Sequence, residues 1–201
     1  MNKLCRPVNL TIEQDWDKIR KIYNRVVAKM KNNELDADSQ WVEAWGSTQY
    51  NLGKLGSLIM GDTLTPQWGA ASGPIFESAL PWASQARELF KSLNFHSMIW
   101  SDTIANVARH RDGQPDHEVG MPECKINFIV SSDDINAKTI VYDNLYSEQY
   151  PSTLNSVWLL DTSYPHEIWS NGHREVFQFK FFNHYADVAN FLETIGSITF
   201  K

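Results

Sequence analysis

Apolar positions along the chain change period twice, and the changes divide it. Ile12, Trp16, Ile19, Tyr23, Val26 and Met30 recur at steps of three or four, one stripe of an amphipathic helix ending near Asn32-Asn33. Thr11-Ile-Glu-Gln14 just before it reads as a capping box. From Glu34 to Pro81 the pattern loosens. A short helix is expected from Asp38-Ser39 with Trp41, Val42 and Trp45, and six of the ten glycines lie between Gly46 and Gly73. That composition makes adaptable loops, read either as a lid carrying substrate contacts or as an irregular connection. A second helix is predicted over Ser78–Leu93, its face formed by Ala83, Ala86, Leu89, Phe90 and Leu93.

From Phe95 the period becomes that of strands. Segments Phe95–Ile104, Asn106–His110, Lys125–Ser131, Lys138–Tyr142, Ser156–Asp161 and Arg174–Phe182 are divided by Asp, Asn, Gly and Pro clusters. Short strands at close spacing read as an antiparallel sandwich or barrel. Asn183 then caps a last helix, His184–Ile195, stopped by Gly196. The predicted fold class is α+β, a β-roll braced by helices, in one domain of 201 residues. Its parts are a helical and loop extension (1–94), a barrel core (95–182) and a C-terminal helix and tail (183–201).

Charge and cysteine content narrow the setting. A net charge of −6 argues against broad nucleic-acid binding, which needs a basic face. No apolar run approaches a membrane span, and the N-terminus turns polar before any signal core forms. Cys5 and Cys124 make no dense disulfide framework, so a reduced cytoplasm is the default expectation.

The chemistry concentrates between residues 107 and 174. His110 and Asp112 lie two apart, so on a strand both side chains point to one face. His166 follows Pro165, which keeps residue 164 extended. Two imidazoles and one carboxylate on one face of a metal, the other face open, form the facial triad of non-haem Fe(II) oxygenases. His110, Asp112 and His166 are its candidate ligands. The turn dipeptide Asn171-Gly172 places Arg174 at the start of a strand expected to run antiparallel to the one carrying His166. A guanidinium there grips a carboxylate bidentately. A co-substrate with one chelating end and one distal carboxylate suits the gap, and 2-oxoglutarate matches that description.

His110-Arg-Asp112, Pro165-His166 and Asn171-Gly-His-Arg174 resemble the 2-oxoglutarate/Fe(II)-dependent dioxygenase superfamily, over roughly residues 95–182. The phrasing Leu159-Leu-Asp-Thr-Ser-Tyr-Pro-His166 is nearest to its aspartyl/asparaginyl β-hydroxylase and prolyl-hydroxylase-like branches. The resemblance implies a double-stranded β-helix (jelly-roll or cupin-like) and a hydroxylase using Fe(II), 2-oxoglutarate and O2. Its products would be oxidised substrate, succinate and CO2. The substrate would be a free amino acid, a peptidyl residue or another small metabolite. Asp112 fills the position that halogenating relatives leave open for chloride, which favours hydroxylation. Val176 stands where many relatives place a Ser two residues after the Arg, leaving the second partner of the distal carboxylate open.

Other residues are read two ways. Asn127 either contacts the chelating end of 2-oxoglutarate or makes a structural hydrogen bond. Trp100 and Trp169 either wall the cavity or fill the barrel. His117 and Glu118 are rival ligands in a loop that Pro115 and Gly120 keep out of a strand. His173 is expected in a turn, and His96 and His184 at packing or surface positions. Two other functions remain open: a cupin-type metalloenzyme using no 2-oxoglutarate, and a non-catalytic jelly-roll binding module.

Overall fold

Strict alternation along the strand His173–Phe181 sets the architecture. Phe177, Phe179 and Phe181 are wholly buried on one face, while Arg174, Gln178 and Lys180 occupy the other. A strand with two such faces must lie between an apolar layer and a polar cavity. The computed structural model describes residues 4–31, 49–52, 67–72, 74–104, 106–112 and 123–201.

In chain order the elements begin with β1 (Cys5–Pro7), β2 (Leu10–Ile12), α1 (Trp16–Lys31), β3 (Gln49–Leu52) and β4 (Gln67–Ser72). Two short helices follow, α2 (Pro74–Ser78) and α3 (Ala83–Leu89). The long β region comprises β5 (Phe95–Ile104), β6 (Val107–His110), β7 (Cys124–Ser132), β8 (Lys138–Tyr142), β9 (Ser147–Pro151), β10 (Val157–Asp161), β11 (His166–Trp169) and β12 (His173–Phe181). The chain closes with α4 (Tyr185–Ile195) and β13 (Ile198–Phe200). A seven-stranded sheet has the order β1-β10-β7-β12-β5-β4-β3, and a four-stranded sheet the order β6-β11-β8-β9. Every pairing in these two sheets is antiparallel. From β5 to β12 the chain passes back and forth between the sheets, a jelly-roll-like β-sandwich.

The main core lies outside the sandwich, on the helix-covered face of the larger sheet. Trp16 of α1 packs against Trp100, Phe128 and Phe177. Trp82 meets Phe177, Phe179 and Phe200, and Phe90 meets Phe181 edge to face. Val188, Ala189 and Leu192 of α4 complete this layer. Burying a large apolar side chain stabilises by roughly 1.5–3 kcal/mol, so this face carries most of the folding drive. Among the described residues no helix is long and apolar enough to cross a membrane.

Several boundaries differ from those expected. Leu10–Ile12 is a strand paired in parallel with Ile198–Phe200, so Thr11 caps nothing. Helix α1 starts at Trp16, and the Asp15 carboxylate accepts the Lys18 N–H at 3.1 Å. The helix expected over Ser78–Leu93 shrinks to α3. Pro81, which has no N–H to donate, sits in the turn before it. Asn183 does not cap α4: its Oδ1 accepts the Asn94 N–H, and His184 takes the cap position. Gly196 does end the helix, at φ +72°. Within the expected loop, β3 and β4 extend the large sheet; the helix expected from Asp38 lies outside the described residues.

Candidate metal centre

Strand pairing brings the ligand candidates together. His166 opens β11 directly opposite His110, the last residue of β6, and pairs on its other side with Val141. Asp112 follows two residues after His110. Asp112 Oδ1 is 3.5 Å from His110 Nε2 and 3.4 Å from His166 Nε2, and the imidazole centroids are 4.4 Å apart. One ligand atom from each residue lies within 4.8 Å of the others, and among the described residues no other group of His, Cys, Asp and Glu does this.

Protonation is ordered around this point. His166 Nδ1 lies 3.0 Å from the Tyr164 carbonyl, to which it donates, leaving the Nε2 lone pair aimed at the cluster. That Nε2 is buried without a hydrogen-bond partner. Burial chiefly lowers the His166 pKa, with Lys125 adding to the effect, so the ring is held neutral as a ligand must be. Asp112 is the reverse case. Burial would raise its pKa, but the Lys125 ammonium, with the adjacent His110 and His166 imidazoles assisting, holds it well below the usual carboxylate range. Lys125 Nζ donates to Asp112 Oδ2 at 2.9 Å, which leaves Oδ1 facing the imidazoles.

The turn at Ser170–Gly172 departs from the expected hairpin. It carries the chain from the small sheet to the large one, so Arg174 faces His166's strand across the sandwich rather than pairing with it. Ser170 N–H donates to Asn106 Oδ1 at 2.8 Å, and a Cβ at Gly172 would come within 2.9 Å of the Asp133 Cβ. Arg174 is 3% exposed; Nη1 donates to Ser152 Oγ at 3.1 Å, and Nε is buried without a partner. Burial lowers its pKa to about 10, which Tyr150 partly offsets. Among the described residues no carboxylate pairs with it. A buried guanidinium left this way is costly unless an anion completes it.

Around it lies a polar cluster. Tyr150, whose pKa burial pushes up to about 12, accepts a hydrogen bond from Asn127 Nδ2 at 3.1 Å. Asn127 Oδ1 in turn accepts from Gln178 Nε2 at 3.1 Å, and Thr139 and Ser152 share a 2.8 Å hydroxyl contact. Asn127 thus hydrogen-bonds to both Tyr150 and Gln178 within this cluster.

Neither tryptophan expected at the cavity faces it. Trp100 is buried on the helix side, beside Trp16 and Tyr23. Trp169 is 53% exposed, with Nε1 donating to Glu167 on the outer face of the small sheet. His173 opens β12 rather than lying in the turn, and pairs with Asp102 at 2.5 Å. His96 contacts Ser97 and Phe182, and His184 pairs with Glu123. His117 and Glu118 lie outside the described residues. Sequence reasoning missed Lys125, Tyr150, Ser152, Gln178 and Lys180. Lys125 and Lys180 had a signal: each stands between apolar neighbours, Cys124 and Ile126 for the first and Phe179 and Phe181 for the second.

No family model matches the chain, and no curated protein does. Among solved structures, EvdMO1 is similar at TM-score 0.50 and 11% identity, over 89% of this chain and 47% of that one. A Pseudomonas putida prolyl-4-hydroxylase aligns at TM-score 0.48 and 10% identity, over 88% and 90%. An oxidoreductase of the 2OG-Fe(II) oxygenase family from Burkholderia pseudomallei aligns at 0.45 and 11%, over 59% and 69%. The likeness to EvdMO1 shows a shared fold across less than half of that chain.

Proposed function

We propose that the chain is an Fe(II)- and 2-oxoglutarate-dependent oxygenase, most simply a hydroxylase. The observation that carries this is the His166 Nε2, buried and unpartnered, turned toward Asp112 Oδ1 and His110 Nε2. Two imidazoles and one ionised carboxylate suit Fe(II) and leave coordination positions free. The strand order supports the same reading. β5-β12-β7-β10 faces β6-β11-β8-β9, the arrangement of a double-stranded β-helix.

His110, Asp112 and His166 would hold the iron, which when bound supplies O2 activation coupled to decarboxylation of 2-oxoglutarate. The protein's own groups position and shield. Arg174 anchors the distal carboxylate, its free Nε and the Ser152-bound Nη1 marking the place. Ser152 and Tyr150 supply the hydroxyls that Val176 does not, and Asn127 holds the Tyr150 ring in orientation. Lys125 ties back Asp112 Oδ2 so that one oxygen serves the metal. In the balanced reaction, substrate C–H, O2 and 2-oxoglutarate give C–OH, succinate and CO2. The substrate is an amino acid, a peptidyl residue or a small metabolite.

Anaerobic Fe(II) and 2-oxoglutarate together are expected to give the weak visible metal-to-ligand absorption band, lost in His166→Ala. A wild-type protein that binds Fe(II) but shows no such band would favour a cupin-type metalloenzyme. One that binds neither would favour a non-catalytic module.

A further inference from the structure

Lys180 stands apart from the other cations of the cavity. It lies on the same face of β12 as Arg174, six residues further along, or about 20 Å of strand. In register it sits directly opposite Lys125 of β7, which places two ammonium stems side by side. Like charges directly opposite on paired strands are destabilising. Lys125 is compensated by its ion pair with Asp112. Lys180 is partly buried and, among the described residues, has neither hydrogen bond nor ion pair.

The charges around it leave a surplus. Among the described residues, the cavity face of the large sheet carries Lys125, Arg174 and Lys180, and the carboxylate near them is Asp112. Glu148 is committed elsewhere, its Oε2 accepting the Leu4 and Cys5 N–H groups. Bound Fe(II) would add two positive charges and 2-oxoglutarate would cancel two. The surplus is then unchanged, and among the described residues Lys180 has no carboxylate of its own. Packing gives no reason for a lysine, because an apolar residue fills this position without the charge.

Resting on the oxygenase reading, we infer that Lys180 is the anchor for a carboxylate of the substrate to be oxidised, so that the enzyme takes an acidic amino acid or acidic side chain. The ammonium grips the acid as a point charge. Arg174, set at the other end of the strand, is left to the co-substrate.

The test uses the anaerobic Fe(II)- and 2-oxoglutarate-loaded protein, with its absorption band as the readout. It is titrated with L-aspartate against L-asparagine, L-glutamate against L-glutamine, and the N-acetyl, C-amide forms of each. At least one acid is expected to perturb the band with about tenfold tighter apparent affinity than its amide, the scale of one charge-assisted hydrogen bond. Lys180→Gln is expected to erase that preference and Lys180→Arg to keep it, both leaving 2-oxoglutarate affinity within about twofold. The inference is overturned if no acid outbinds its amide, or if Lys180→Gln keeps the preference. Equal weakening of 2-oxoglutarate in Lys180→Gln would assign the lysine to the co-substrate and also overturn it. Absence of the band before any amino acid is added would instead sink the oxygenase reading itself.

Discussion

The two faces of the large sheet, read along β12, are made of alternating residues yet do different work. On the helix side Phe177, Phe179 and Phe181 are fully buried among Trp82, Phe90 and Phe200. On the cavity side Arg174, Gln178 and Lys180 line polar space shared with Asn127 and Lys125. A jelly-roll-like sandwich usually buries its core between its sheets. Here much of that inner layer is polar, and the folding drive has moved outside, under α1, α3 and α4. A smaller inner cluster of Leu4, Cys5, Val141, Tyr150 and Leu160 closes one end of the sandwich. The difference shows how a barrel can keep charged groups inside: another surface must carry the stability.

The largest effect should come from the helix side. Phe177→Ala removes a ring packed against Trp16, Phe76 and Trp82, and should cost about 3–5 kcal/mol in denaturant unfolding. Next comes Arg174→Met on the cavity side. Unfolding free energy should stay level or rise, because a buried charge without a carboxylate partner is replaced by an apolar side chain of similar length. Affinity for 2-oxoglutarate should fall by about tenfold to a hundredfold, as expected for lost charge-assisted hydrogen bonds. Fe(II) binding should persist. If Arg174→Met destabilised as much as Phe177→Ala, the proposed division between the faces would be wrong.

The division was partly legible in the sequence. His110, Asp112 and His166 could be read because two lie on one strand end and the third follows a proline, all local signals. That they meet depends on β6 and β11 pairing across the sequence, which the resemblance supplied and the register shows. The face of Trp100 could not be read: Met98, Ile99 and Trp100 place apolar groups on both sides, so alternation does not choose. β9, Ser-Glu-Gln-Tyr-Pro, carries too little apolar alternation to announce itself, yet it contributes Tyr150 and leads into Ser152. β2 was misread because Ile12 and Trp16 are four apart, and a three-residue parallel strand offers nothing stronger. Lys125 and Lys180 were the overlooked signal, since each occupies the inward position of a strand whose neighbours are apolar.

The smallest effect lies at the start of β12 and tests whether the faces are separable in pH. The His173 pKa is raised chiefly by its hydrogen bond to Asp102, with Glu175 and Asp133 assisting and burial opposing. A raised folded-state pKa stabilises fully below the unfolded value of about 6.5 and stops doing so as pH rises through the folded value. Stability should therefore decline from near pH 6.5 upward, by less than about 1 kcal/mol because the side chain is partly exposed. His166, its pKa lowered by burial, has released its proton before this window. Asp102→Asn should flatten the slope, and chemical unfolding at several pH values would measure it. The slope should survive in Arg174→Met, since His173 bonds to Asp102 while Arg174 reaches Ser152 on the cavity side. Loss of the slope in that variant would mean that the charges on the two faces act as one network.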